Sequence, residues 1–231
     1  MIKVASYNMR KAIGTDRRRM PERTLEVLRE VDADIVALQE CDRRLGERAG
    51  VIPLHMLDDH SPWKAVPVAI RAQSMGWHGN ALLVRKDATV SAPKRIDIPA
   101  LEPRGAVRAD VTLNGITIRV VGMHLDLSGL WRRKQAHAIL HEVDGCQPPL
   151  PSVLMGDLNE WTPRSGCLRD FGRTHCFAET GPSFHARHPV GRLDRIMVSS
   201  ELRIVDSGTH QSAAARKASD HLPIWATLAT A

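Results

Sequence analysis

The chain has 231 residues, 43% of them apolar, enough for one substantial core and too regular in composition for a disordered chain. Its 32 Lys and Arg against 26 Asp and Glu leave a formal charge of +6, with 11 histidines uncounted, which admits an anionic partner without demanding one. Aromatic residues make up only 4%, too few for a base-stacking platform, and that argues against a dedicated RNA-binding module.

Ile2, Val4 and Ser6 alternate with Lys3, Ala5 and Tyr7 as in a strand, and the basic loop Arg17 to Arg19 leads into Pro21, a good first-turn residue. A helix is predicted over 21–31 on the apolar face of Leu25, Val27 and Leu28, followed by a buried strand over 34–39 that ends at Gln39 and Glu40. Residues 42–73 scatter Pro, Asp and His without period and read mostly as loop, with one short helix near 66–72. Strands are predicted over 80–85 and 89–98, then a hairpin of 106–113 and 116–124 turned by Asn114-Gly115. Ser128 stands where it can cap a helix over 129–143, stopped by Gly145 and the prolines at 148, 149 and 151. A short strand at 152–155 then delivers Asp157 and Asn159, and the rest alternates loops with strands at 194–198, 202–207 and 222–228. With no internal repeat and no composition break, a single α/β domain over 1–231 is expected.

The four cysteines, Cys41, Cys146, Cys167 and Cys176, have no metal-finger spacing and read as free thiols in a reducing compartment. The first ten residues lack a leader pattern and no apolar run approaches bilayer length, so a soluble, cytoplasmic protein is expected.

Chemistry-bearing side chains follow apolar runs: Asn8, Glu40, His124, Asp157 with Asn159, and Asp220 with His221. Ends of strands on a rigid sheet are where sites are commonly assembled. Oxygen donors from Asp, Glu and Asn suit a hard cation such as Mg²⁺ or Mn²⁺, whereas zinc prefers His and Cys. Taken singly, each residue also has a dull reading: Asn8 ending a strand, Glu40 closing a turn, a lone Asp or His solvated. His137 and His141 lie four apart on the predicted helix, but Ala138 stands where a zinc protease needs Glu, so they read as surface residues. His185 and His188 read as a loop at a cleft rim, and Arg132-Arg133-Lys134 as a solvated face. The Arg17 to Arg19 run, which follows Asn8, is the basic run placed to overhang a cleft.

The stretches Ser6-Tyr7-Asn8, Leu38-Gln39-Glu40, Gly79-Asn80-Ala81, Glu102-Pro103-Arg104-Gly105, Met123-His124-Leu125, Gly156-Asp157-Leu158-Asn159, Leu193-Asp194-Arg195-Ile196 and Ser219-Asp220-His221 occur in order along nearly the whole chain. On these the sequence resembles the endonuclease/exonuclease/phosphatase superfamily of DNase I-like metal-dependent phosphoesterases. The Gly-Asp-x-Asn and Ser-Asp-His motifs are its most specific parts. The 157–161 run, Arg104-Gly105 and the compact length look like a small bacterial branch near sphingomyelinase-like and cardiolipin-synthase-associated members.

The resemblance implies a four-layer α/β sandwich, two packed mixed β-sheets flanked by helices, with the site in a cleft at one edge. It implies Glu40 as principal ligand of Mg²⁺ (or Mn²⁺), with Asn8 and Asp220 beside it. Asp157 would orient or deprotonate the attacking water, Asn159 would hold a phosphate oxygen, and His124 would donate to the phosphate. His221 would contact the scissile phosphate, oriented by a hydrogen bond it donates to Asp194, whose carboxylate also raises its pKa. Arg104 and Asn80 divide evenly between substrate contact and scaffold, and His78 between substrate selection and cleft wall.

The function implied is divalent-metal-dependent hydrolysis of a phosphodiester by in-line attack of water. Nucleic acid and a phospholipid headgroup or other small diester stand nearly level as substrate, with a phosphomonoesterase behind. A noncatalytic anion-binding scaffold and a zinc hydrolase built on the histidines are the competing classes. Oligomeric state, the general acid, the number of ions and the role of Cys41 stay open.

Overall fold

In β1 (Ile2–Asn8), Ile2 and Val4 point into one apolar cluster while Ala5 and Tyr7 point into another, so the strand is covered on both faces. That double burial recurs across two six-stranded sheets. The computed structural model describes residues 1–43, 46–163 and 165–231. Positions 44 and 45 of the loop expected over 42–73 lie outside the described residues.

The first sheet combines β1 with β2 (Ile35–Gln39), β3 (Trp63–Ala65), β4 (Ala81–Arg85), β11 (Leu202–Thr209) and β12 (Ile224–Thr230), in the order β11-β12-β1-β2-β4-β3. The second combines β5 (Thr89–Ile96), β6 (Gly105–Leu113), β7 (Ile116–His124), β8 (Ser152–Asp157), β9 (His175–Phe177) and β10 (Asp194–Ser199), in the order β5-β6-β7-β8-β10-β9. Each sheet is mixed: β1 runs parallel to β2 and β7 parallel to β8, and the other named pairs are antiparallel.

Ile2, Val4, Ile35, Ala37, Val120, Val153, Ile196 and Ala226 belong to the cluster between the sheets. Outside the first sheet, α1 (Pro21–Val31) and α5 (Ala213–Ala218) pack Leu25, Leu28 and Ala215 on Tyr7 and Leu38, with α2 (Leu54–His60) adding Leu57. Outside the second, α3 (Gly129–Asp144) and α4 (Cys167–Phe171) pack Ile139 and Phe171 on Val121 and Leu154. Each such Val, Leu, Ile or Phe side chain contributes roughly 1.5–3 kcal/mol on burial. This is the four-layer α/β sandwich implied by the resemblance.

The helix over 21–31, the strand ending at Gln39 and the hairpin turned by Asn114-Gly115 are present as expected. No helix forms near 66–72. Instead α2 lies upstream and β3 runs as an edge strand, held by Trp63, which is fully buried and donates its indole N–H to the Ala33 carbonyl at 2.8 Å. Val66 continues that pairing, its N–H donating to the Leu82 carbonyl. Ser128 precedes α3 without capping it through its hydroxyl; its N–H is taken by Asp126 Oδ1 at 3.0 Å. Arg132 is not solvated but buried, its guanidinium donating Nε and Nη2 to Glu160 Oε2. The segments α4, β9 and α5, expected as loop, are too short to show a period.

Candidate active site

Strand alternation carries the polar row directly out of the core. Along β8, Val153 and Met155 face the inter-sheet cluster and Asp157 is the next residue on that face; along β7 the sequence is Ile118, Val120, Gly122, His124. On antiparallel β10, Val198 and Ile196 lead back to Asp194, and on β1 Ile2 and Val4 lead to Ser6 and Asn8. Register aligns them: His124 is paired with Asp157, and Asp157 with Asp194, across three neighbouring strands. Gly156 makes the approach possible, because a Cβ there would collide with the Met123 carbonyl of β7.

Asn8 crosses from the first sheet and donates Nδ2 to Asp157 Oδ2 at 2.9 Å. The other oxygen of Asp157 accepts the Asn159 N–H at 2.9 Å. Asn159 has a left-handed backbone and gives its side-chain amide to the Leu125 carbonyl, tying β8 to the end of β7. His221 lies with Nδ1 2.8 Å from Asp194 Oδ2 and Nε2 3.7 Å from Asp157 Oδ2. The hydrogen bond expected between Asp194 and His221 is present, and Ser183 adds a hydroxyl donated to the same Asp194 oxygen at 2.5 Å.

Burial penalises charge on His221, but the carboxylates of Asp194 and Asp157 outweigh it and raise the ring to about 10, so it is an imidazolium at neutral pH. His124 goes the other way. Burial lowers it to about 4 in spite of Asp157, and the Arg104 guanidinium, with Nη1 2.8 Å from Nε2, pushes in the same direction. Arginine only donates, so the ring nitrogen facing it must accept. Burial likewise disfavours the charge of Asp157, but the two histidines and the Asn159 and Asn8 hydrogen bonds prevail and hold it below the usual carboxylate range.

Glu40 follows β2 in a left-handed conformation, and a parallel-type bond from the Lys11 N–H to its carbonyl continues the β1–β2 pairing past the strand ends. Its carboxylate meets the Lys11 ammonium. Asp220 Oδ2 pairs with Arg10 Nε at 3.2 Å, and Asn8 Oδ1 accepts the Arg10 N–H at 3.1 Å. All three oxygen donors assigned to a metal therefore have a donor from residues 10–11 beside them. A cleft of about 410 Å³ opens here, lined among others by Lys11, Glu40, Arg48, His78, Arg104 and His124. His78 is on the wall, its Nδ1 3.2 Å from Arg48.

Asn80 is not brought to the cleft surface: it is fully buried, and its amide donates to the carbonyls of Trp77 and His78 as a turn residue does. His137 and His141 are exposed on α3. His185 lies in the loop whose Phe184 ring sits 4.9 Å from that of His221. Ser183, Phe184, Arg10, Lys11 and Arg48 are site residues that sequence reasoning missed. Of these, Arg10 and Lys11 carry a signal, a basic pair just after Asn8.

The model of the Endonuclease/Exonuclease/phosphatase family matches residues 5–221. The chain belongs to this family. A comparison with curated proteins finds no match. Among solved structures, an endonuclease/exonuclease/phosphatase from Bacteroides vulgatus is 18% identical, with TM-score 0.78 over 100% of this chain and 99% of its own. The mannosyl-6-phosphatase Bt3783 of Bacteroides thetaiotaomicron is 21% identical, with TM-score 0.75 over 99% and 100%. D. rerio TDP2 complexed with single strand DNA product is 17% identical, with TM-score 0.76 over 99% of each chain. At these identities the likeness is one of fold. The family member described here has no helix, among its described residues, long and apolar enough to cross a membrane.

Proposed function

We propose that this chain is a divalent-metal-dependent phosphodiester hydrolase in which a water positioned by Asp157 attacks phosphorus in line. The observation that carries the reading is the buried carboxylate of Asp157 held between a charged and a neutral histidine, with Asn8 fixing the oxygen that faces both.

Donor chemistry favours a hard cation at Glu40, Asn8 and Asp220, all of them oxygen ligands. The Lys11 ammonium on Glu40 marks a position where positive charge is already stabilised. Asp157, Asp194 and His221 also place ligand atoms within 4.8 Å of one another. An imidazolium makes no metal bond, however, and Asp194 Oδ2 is engaged by Ser183 and His221, so that trio acts as a proton and charge network. A bound Mg²⁺ or Mn²⁺ would supply Lewis-acid stabilisation of the phosphoryl oxygens.

The protein's own groups then divide the work. Asp157 accepts a proton from water or aligns its lone pair. His221 presents a charged N–H toward charge developing on phosphorus, where a fixed donor in a desolvated site is most effective. His124 offers its one remaining N–H from the opposite side, and Arg104 adds a permanent cation at the cleft wall. Lys11 and Arg48 make the cleft attractive to an anion.

Nucleic acid and a lipid or small phosphodiester are both accommodated by this chemistry; the solved neighbour holding a single strand DNA product favours the first. A phosphomonoester is the second reading, favoured by the phosphatase among the structural neighbours and by the cations on the cleft wall. The test is hydrolysis of bis-(p-nitrophenyl) phosphate, p-nitrophenyl phosphate, supercoiled plasmid and a glycerophosphodiester lipid, with Mg²⁺, Mn²⁺ or EDTA, for wild type and Asp157→Ala. Diester turnover that EDTA and the variant both abolish is expected. Turnover unaffected by either would overturn the reading.

A further inference from the structure

Outside the cleft, a cavity of about 780 Å³ lies between α4, β9 and the segment leading into β10. Arg195 places it: Asp194 and Ile196 point between the sheets, so Arg195 points to the outer face, and the cavity backs onto the strand that carries Asp194, the partner of His221. Arg169 and Arg192 line it too, and Glu179 is its one carboxylate.

Most guanidiniums withdrawn from solvent in this protein meet a carboxylate. Arg119 is bidentate to Asp110, Arg132 donates twice to Glu160, and Arg85 reaches Asp32 and Asp34. Half-buried Arg195 breaks that rule, with one hydrogen bond, from Nη1 to the Asp194 carbonyl at 3.1 Å. Among the described residues neither it, Arg192 nor Arg169 forms an ion pair. Burial works against the charge of Arg195, and Arg192 works against it further. A half-buried, unpaired cation beside like charges is costly unless a ligand neutralises it. The planar guanidinium fork matches two oxygens of a phosphate group. The cavity is much larger than one phosphate, and Leu168, Phe177 and Ala178 give it an apolar wall for an attached organic body.

We propose that this cavity is a second anion site, which binds a phosphate group of a phosphorylated organic ligand on the outer face of β10. Its source is either a free phosphorylated small molecule or one phosphate of a polynucleotide. The site is distinct from the cleft, and its test does not depend on turnover.

Exposed Cys176 lines the same cavity and serves as reporter, while Cys146, outside it, serves as reference. The rate of Cys176 alkylation by neutral iodoacetamide is followed by mass spectrometry at constant ionic strength, with adenosine 5′-monophosphate, adenosine or an oligothymidylate added. Adenosine 5′-monophosphate slows Cys176 about fivefold at saturation and leaves Cys146 unchanged, whereas adenosine does nothing. Arg192→Gln with Arg195→Gln raises the half-protecting concentration about tenfold or more. Exposed Arg192→Gln alone raises it about threefold, which keeps the test valid if the double variant does not fold. Asp157→Ala protects like wild type. Protection by the nucleotide and not the oligomer assigns a small-molecule ligand, and stronger protection by the oligomer assigns a polynucleotide. Absence of protection by both, or equal protection in Arg192→Gln and the double variant, overturns the site.

Discussion

His124 from the end of β7 and His221 from the loop before β12 approach the same oxygen of Asp157, with Nε2 at 3.4 and 3.7 Å. Both are buried, and their surroundings drive them apart. His221 has Asp194 on its far nitrogen and rises to about 10, while His124 has Arg104 on its edge and falls to about 4. Burial by itself depresses either ring; the group behind the ring decides whether Asp157 can reverse that. One carboxylate thus sees a fixed cation on one side and a neutral ring on the other, the division that proton removal from water and stabilisation of a phosphoryl charge require.

The largest effect should come from removing what the two rings share. Asp157→Asn keeps the shape and abolishes the charge, and diester hydrolysis is expected to fall by ~10³-fold or more in kcat. Imidazole NMR on the same variant should show the His221 pKa falling from about 10, because one of the three carboxylates that raise it is gone. A fall in kcat without movement of His221 would separate the carboxylate's role toward water from its role toward the ring.

Asp194→Asn attacks one side only. His221 loses its nearest counter-charge and should titrate closer to the ordinary 6.5, while His124 stays low. Activity should drop by ~10²-fold, and the drop should deepen as pH rises past the new His221 pKa. A flat ratio to wild type across pH would show that Asp194 orients the ring without charging it.

The separate pKa shifts also split the pH dependence of stability. His221 binds its proton more tightly folded than unfolded, so its contribution is complete below about 6.5 and lost as pH rises through about 10. His124 holds its proton less tightly folded, so its contribution is complete above about 6.5 and lost as pH falls through about 4. In denaturant titrations, His221→Gln should flatten the alkaline limb and His124→Gln the acid limb. Flattening of the same limb by both would refute the opposed assignment.

Much of this contrast was legible in the sequence, and the reason is period two. A strand buried on both faces reads as an apolar run, and the first polar residue beyond it stands out, as Asn8, Glu40, His124 and Asp157 do, whereas Asp194 opens its strand and needed the family resemblance. Pairing His221 with Asp194 needed the family resemblance, since no spacing relates positions 27 apart in a loop and a strand. The missed residues have a common physical cause. Ser183 and Phe184 act through long-range packing onto Asp194 and His221, and a serine or phenylalanine in a loop has no pattern of its own. Arg132 looked like part of a solvated basic run because its partner, Glu160, is 28 positions away. Asn80 fell in a matched stretch, yet its buried amide is spent on its own turn.

Arg104→Gln sharpens the neutral side. With the guanidinium removed, His124 should rise from about 4 while still held down by burial, and the acid limb of stability should move up with it. Loss of a cleft-wall cation should raise KM more than it lowers kcat, by about threefold to tenfold. The smallest effect belongs to Ser183→Ala. Its hydroxyl shares Asp194 Oδ2 with His221 and cannot be replaced by water in a fully buried position. Without that donor the oxygen is left to His221 alone, so the ring should be held more strongly and its pKa should rise, while the aspartate loses a positioning contact worth about 1 kcal/mol. A kcat reduced about threefold with a higher His221 pKa is the expected pair of readings, and Ser183→Thr should restore both where it packs. A lowered His221 pKa in Ser183→Ala would mean that the hydroxyl sets the angle of Asp194 rather than competing for its charge, and the charged side of the comparison would then rest on geometry fixed by residue 183.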